Sequence, residues 1–147
     1  MRLADKTNQI TGHFHMDVSK NGQVIEVVDE PNLVVDASKF LLSKLLGGTV
    51  TGNSVTVFGV GTNGTSPAAG NTALSSPFTK GFDSVAFPAA NQVQFNFSLA
   101  STEGNGKAIL EFGLLSTGSI LFARKIRSAA LNKDSDISFT GSWLITF

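Results

Sequence analysis

Two apolar runs joined by a four-residue break constrain this chain more than any other stretch. Residues 107–127, KAILEFGLLSTGSILFARKIR, read as an antiparallel hairpin that turns at Ser116-Thr117-Gly118-Ser119. Closing the break as a turn sets Leu115 opposite Ile120, Gly113 opposite Phe122, Glu111 opposite Arg124 and Ile109 opposite Ile126. The one acid of the hairpin then meets a base, and opposite charges facing each other across a ladder are favourable. On the other pleat face Ala108, Leu110, Phe112 and Leu114 align with Ala123 and Leu121. Such an apolar strip needs a second layer to cover it.

The remaining chain supplies that layer in short alternating segments. After a polar, unpatterned arm over residues 1–9, Phe14, Met16 and Val18 alternate with His13, His15 and Asp17, the period of a strand. Asn21-Gly22 is a type I′ hairpin signal. Pairing Lys20 with Gln23 places Val18 against Ile25 and Met16 against Val27, with His13, His15, Asp17, Glu26 and Glu30 on the opposite face. Pro31 reads as the end of the second strand, and Asp36 as the N-cap of a helix, ASKFLLSKLL, closed by Gly47-Gly48. Its apolar side gathers Ala37, Phe40, Leu41 and Leu45, and three turns need a sheet to lie on or an open end to plug.

Further strands are expected at 54–60, 78–87, 92–99 and 137–147. The cleanest has Val93, Phe95, Phe97 and Leu99 on one face and Gln92, Gln94, Asn96 and Ser98 on the other. In the last, Ile137, Phe139, Gly141, Trp143, Ile145 and Phe147 share a face, which points Trp143 inward. About eight strands at regular spacing with one short helix predict an all-β fold, an antiparallel β-sandwich or jelly roll, as a single domain over residues 10–147.

Composition narrows the function classes. The 147 residues suffice for one core without staples, and the absence of cysteine removes disulfides, thiolate nucleophiles and cysteine metal sites. Lys plus Arg equals Asp plus Glu at 11 each, so no net field draws nucleic acid or an anionic membrane. No apolar run reaches a membrane span and the first residues lack a signal-peptide core, so a soluble product of the cytoplasm is expected. Charged residues are 15%, below the roughly 25% of ordinary domains, which predicts that part of the surface is covered by something else.

Three chemical readings arise and each has a plainer competitor. His13-x-His15 with Glu30 opposite has the makings of a zinc or iron site, but a cupin-type site needs a further histidine and the chain has two. A polar patch is the simpler reading, with a pH-sensitive contact as its most natural role. The Gly-rich segment 59–70 contains no basic residue and lacks a Gly-Lys-Ser/Thr ending, so an ordered loop is preferred to a phosphate site. No Gly-x-Ser-x-Gly elbow occurs and spacing forces no carboxylate pair together, so no enzyme, catalytic residue, metal or cofactor is expected.

A set of short motifs carries a resemblance. They are Asn32-Leu33-Val34-Val35 before the helix, Val60-Gly61-Thr62 with Thr65-Ser66-Pro67, and Gly70-Asn71-Thr72-Ala73-Leu74. Glu111-Phe112-Gly113-Leu114-Leu115, Leu121-Phe122-Ala123-Arg124 and Trp143-Leu144-Ile145-Thr146-Phe147 follow in order. The chain resembles short bacteriophage virion structural proteins of the tail-fibre-like or capsid-decorating kind, departing from their pattern where Asn71 replaces Asp and Leu115 replaces Phe. The resemblance implies a virion component, made in the host cytoplasm. Its favoured placement is a cement protein that binds the major capsid protein and itself, as a homodimer or homotrimer. A tail, baseplate or fibre-attachment protein is the alternative, and a carbohydrate-binding sandwich a second. Partner contacts are expected from the arm and from the loops 61–76, 101–106 and 128–135: Arg2, Lys6, Asn63, Thr65, Pro67, Asn71, Glu103, Asn105 and Lys133. Glu111 with Arg124 is expected to be a structural pair.

Overall fold

In the computed structural model, which describes residues 9–147, the alternating segments are strands. β1 (Thr11–Lys20) and β2 (Gln23–Val34) turn at Asn21-Gly22 with φ of 50° and 81°. Positive φ at both central residues is what a type I′ turn demands. A bulge between Val18 and Ser19 then shifts the pairing by one residue, so that Met16 faces Val28, His15 faces Asp29 and His13 faces Pro31. The expected pairing of His13 with Glu30 and Asp17 with Glu26 is thereby corrected: Glu30 faces Phe14 and Glu26 faces Val18. Pro31 does not end the strand, which runs on to Val34 and pairs with the second layer there.

The helix α1 (Ala37–Leu46) has the expected bounds but differs at its start and on its face. Asp36 makes no capping bond; its carboxylate lies 3.2 Å from Lys39 Nζ instead. Ser38 and Leu41 are the buried positions, with Leu41 in the main core and Phe40 exposed. The helix therefore rests on a narrow contact rather than on a full apolar stripe.

The other strands are β3 (Val55–Gly61), β4 (Phe78–Gly81), β5 (Ser84–Ala86), β6 (Gln92–Leu99), β7 (Lys107–Ser116), β8 (Leu121–Lys133) and β9 (Ile137–Thr146). All pairings are antiparallel, in the order β4-β3-β7-β8-β2-β1-β9-β6-β5. The described strands number nine, not eight, because the run 78–87 divides at Phe82-Asp83. β4 pairs with β3 and β5 with β6, at opposite ends of the strand order, so the sheet curls until its two edge strands are consecutive in the chain. The fold is all-β and antiparallel with one short helix, as the alternation predicts. Its two facing layers belong to one continuous sheet, joined through β2.

The layers meet in a core of phenyl rings. Phe58 of β3 stacks on Phe97 of β6 with centroids 4.1 Å apart, and Phe14 of β1 lies 5.0 Å from Phe112 of β7. Trp143 is fully buried, edge-on to Phe14 at 4.9 Å, and its Nε1–H donates to Asn32 Oδ1 at 2.7 Å. That bond satisfies the one polar atom of the indole. Gly12 leaves the space for it, since a Cβ there would lie 2.2 Å from Asn32 Oδ1.

The β7–β8 register also differs from expectation. Leu115 faces Leu121, Gly113 faces Arg124 and Glu111 faces Ile126. Ser119 at φ 65° lengthens the turn, which closes with Ser116 N–H donating to Ile120 O, and a bulge follows between Leu114 and Leu115. A second irregularity between Ile109 and Glu111 puts Ile109 in the core and leaves Ala108 exposed. β8 extends through most of the segment expected to be a loop, ending at Lys133.

Candidate functional site

Alternation places Gly59, Gly61, Glu111, Gly113 and Arg124 together on the outward face of β3, β7 and β8. Three glycines on neighbouring strands leave a depression there, and the connection 62–77 between β3 and β4 folds back over it. Leu74 fills the depression: a Cβ on Gly59 would stand 2.7 Å from its Cδ1, and one on Gly113 3.0 Å. With Val35, Leu115 and Leu121, Leu74 forms a small second core outside the main one. Glycine within a strand often marks such a close approach.

Glu111 and Arg124 fasten the rim. They are not directly opposite, but the long arginine side chain reaches diagonally along the face, and Nε donates to Glu111 Oε2 at 2.7 Å with both side chains fully buried. Glu111 Oε1 accepts the backbone N–H groups of Ser75 at 2.7 Å and Asn63 at 3.2 Å. Arg124 donates through Nη2 to Asn63 O at 2.8 Å and through Nη1 to Thr65 O at 3.0 Å and Asn71 Oδ1 at 3.2 Å. Asn63 Oδ1 in turn accepts from Thr65, and Asn71 Oδ1 from Ala68 N–H. A buried ion pair is tolerable when its remaining hydrogen-bonding capacity is satisfied in this way. No buried side-chain polar atom among the described residues lacks a partner.

The structure thus brings Asn63, Thr65 and Asn71 together on one buried pair, while Pro67 lines an adjoining cleft of about 370 Å³ with Pro31, Leu33 and Arg124. Glu103, Asn105 and Lys133 form a separate cluster around the turn after β6. Lys133 is buried and donates to Asn105 Oδ1 at 2.7 Å and to the carbonyls of Ser101 and Asp134 at 3.2 Å. Burial pulls its ammonium below the usual lysine range. Arg2 and Lys6 lie outside the described residues. The residues that strand alternation did not single out are Gly59, Gly61, Leu74 and Asn32, and the available signal was glycine recurring at outward positions of strands.

Glu103 accepts from Lys80 Nζ at 2.8 Å and from Ala100 N–H at 2.9 Å, and these bonds hold its carboxyl below the usual glutamate range. A carboxyl lowered by folding contributes stability above its unfolded pKa and loses it as pH falls through the folded value. The wild type is therefore expected to lose stability on acidification below the ordinary glutamate range more steeply than Glu103→Gln. Urea midpoints across that acid range check this, and equal slopes for the two proteins would contradict it.

On the other layer His13 Nε2 donates to Asp29, and His15 lies 3.3 Å from Asp17 and 3.7 Å from Asp29. The hydrogen bond from His13 keeps the Asp29 carboxyl below its usual range. The bulge makes Asp29, not Glu30, the acid beside the histidines. Among the described residues no group of three or more His, Asp or Glu is placed to hold a metal. No described helix is long and apolar enough to cross a membrane. Comparison with protein-family models, curated proteins and solved structures finds no match to this chain.

Proposed function

We propose that the chain is a bacteriophage virion structural protein of the capsid-decorating kind, which binds the assembled shell and stabilises it. The motifs behind the resemblance support this reading because most of them meet in one built unit: Asn32-Leu33-Val34-Val35, the 61–74 segment, Glu111-Phe112-Gly113 and Leu121-Phe122-Ala123-Arg124 all contribute to the covered outer face. The buried ionisable groups Glu111, Arg124 and Lys133 hold loops in place, which suits a protein whose task is to keep a shape.

The observation that carries the proposal is the opposite outer face, on β6 and β9. Gln92, Gln94, Asn96 and Ser98 stand beside Thr146, Leu144, Ser142 and Thr140, and none of these is ionisable. Gln94 donates to Asn96, Asn96 to Ser84, and Gln92 to Thr146, so the amide side chains are already ordered. Interface centres are depleted in charge, and ordered side chains lose little entropy on binding. A subunit that binds only the assembled shell stabilises it by mass action, and modest contacts add over many copies.

The test is to mix the purified chain with separated capsids and tails that lack it and count bound copies. Copies in the hundreds on capsids are the expected result. A handful on tails or at a single vertex would transfer the protein to the tail apparatus, and binding to neither would overturn the virion reading.

A further inference from the structure

Alternation turns four charged side chains toward the interior at the seam where the two layers part. Glu26, Val28 and Glu30 of β2 face the buried Val18, Met16 and Phe14 of β1, and directly opposed residues share a side of the sheet. Lys125 of β8 likewise faces the buried Phe112 of β7, and Arg127 follows two positions on. β2 pairs with β8 only at Leu33 and Val34, so side chains bridge the rest of the seam. Arg127 Nη2 donates to Glu26 at 2.9 Å and Lys125 Nζ to Glu30. These bridges border a cleft of about 300 Å³ that reaches Val28, Phe14 and Phe112. The two signs are not equally placed in it. Lys125 and Arg127 are 13% and 12% exposed, whereas Glu30 and Glu26 are 57% and 41% exposed and meet water. The cations are also short of acceptors. Arg127 donates through Nε to Ala129 O and through Nη2 to Glu26, and Lys125 to Glu30, so Nη1 and part of the ammonium have no protein partner among the described residues. Arg124, by contrast, has acceptors for all three of its guanidinium nitrogens.

We propose that this cleft binds an apolar monoanion, its carboxylate or sulfonate on Arg127 and Lys125 and its aromatic or short acyl body against Val28, Phe14 and Phe112. Glu26 and Glu30 swing outward as it enters. Their exposure already keeps them hydrated, so the exchange strips little water from the acids. The sequestered cations trade one set of oxygens for another and gain acceptors for their unused donors. A body without the acid group has no such gain, and a wholly polar anion has nothing to set against the phenyl rings. An apolar floor with a few convergent polar groups is the usual form of a small-molecule site, and a volume at the low end of the usual range fits a compact body. The inference stands on the cleft alone and does not depend on the virion reading.

Fluorescence titration of the full chain with anilinonaphthalene sulfonate, and with the uncharged N-phenylnaphthylamine, tests it. The wild type is expected to bind the sulfonate at a single saturable site, about tenfold tighter than the uncharged probe. Arg127→Gln should remove most of that difference while leaving the uncharged probe unaffected. Val28→Trp, which fills the cleft, should abolish binding of both with an unchanged circular dichroism spectrum. Phe87→Ser, at an exposed ring outside the cleft, should bind like the wild type. A wild type that shows no saturable binding, or that binds the two probes equally, would overturn the inference without recourse to any variant. Binding that survives Val28→Trp, or that Phe87→Ser abolishes, would overturn it as well.

Discussion

Arg124→Met is expected to lower the unfolding free energy by about 3–5 kcal/mol, the usual cost of removing one partner from a buried ion pair. Methionine fills much of the space but supplies no donor. Glu111 is then left as an unpaired buried charge, and the carbonyls of Asn63 and Thr65 and Oδ1 of Asn71 lose the guanidinium. Glu111→Leu should cost a similar amount, since it strands the guanidinium together with the N–H groups of Ser75 and Asn63. Because the loss falls on the covering loop, residues 62–77 should become protease-sensitive before the main core melts. Urea unfolding monitored at Trp143, with limited proteolysis alongside, measures both effects. A midpoint within experimental error of the wild type would mean that the pair holds nothing.

Gly141→Ala is the second large effect. A Cβ at this position would lie 2.2 Å from His15 O on the neighbouring strand β1 and 2.6 Å from Phe97 Cζ. Backbone cannot yield as a flexible side chain can, so the β1–β9 ladder must part or Phe97 must leave its stack on Phe58. Overpacking commonly costs about 1–3 kcal/mol, and this site should fall at or above the upper end. Gly70→Ala is the matched control, with nothing within 4 Å of the new methyl and no positive φ to strain. Its change should stay within about 0.5 kcal/mol. Equal thermal midpoints for the two variants would contradict the packing described for Gly141.

These two sites show what sequence could and could not specify. Side-chain alternation identifies β1, β6 and β9 and sends Trp143 inward, because a two-residue period is a local property of the chain. Asn21-Gly22 announces its own turn for the same reason. Register is different, since a bulge adds one residue without changing composition. The bulge at Val18/Ser19 exchanges Glu30 for Asp29 beside the histidines, and the lengthened turn at Ser119 displaces Glu111 from Arg124 across the ladder. The partnership of Glu111 and Arg124 survives that displacement because arginine is long enough to reach diagonally. The break at Phe82-Asp83 was hidden because weak alternation on both sides reads as one strand, whereas pairing with β3 and β6 assigns the halves to different layers. The covered outer face was the least legible part, because glycine in a strand says only that something comes close. Which side chain comes close depends on a loop returning from far along the chain.

Residues 62–77 cover the outer face of β3, β7 and β8 as a fixed layer held by Glu111 and Arg124. Residue-resolved hydrogen exchange at the Asn63 and Ser75 amides, the two that donate to Glu111, tests it most directly. Slow exchange is expected at both, approaching the protection of the β7 and β8 amides and lost together in Arg124→Met. Exchange at Asn63 and Ser75 as fast as in an unstructured peptide, with β7 and β8 still protected, would contradict it.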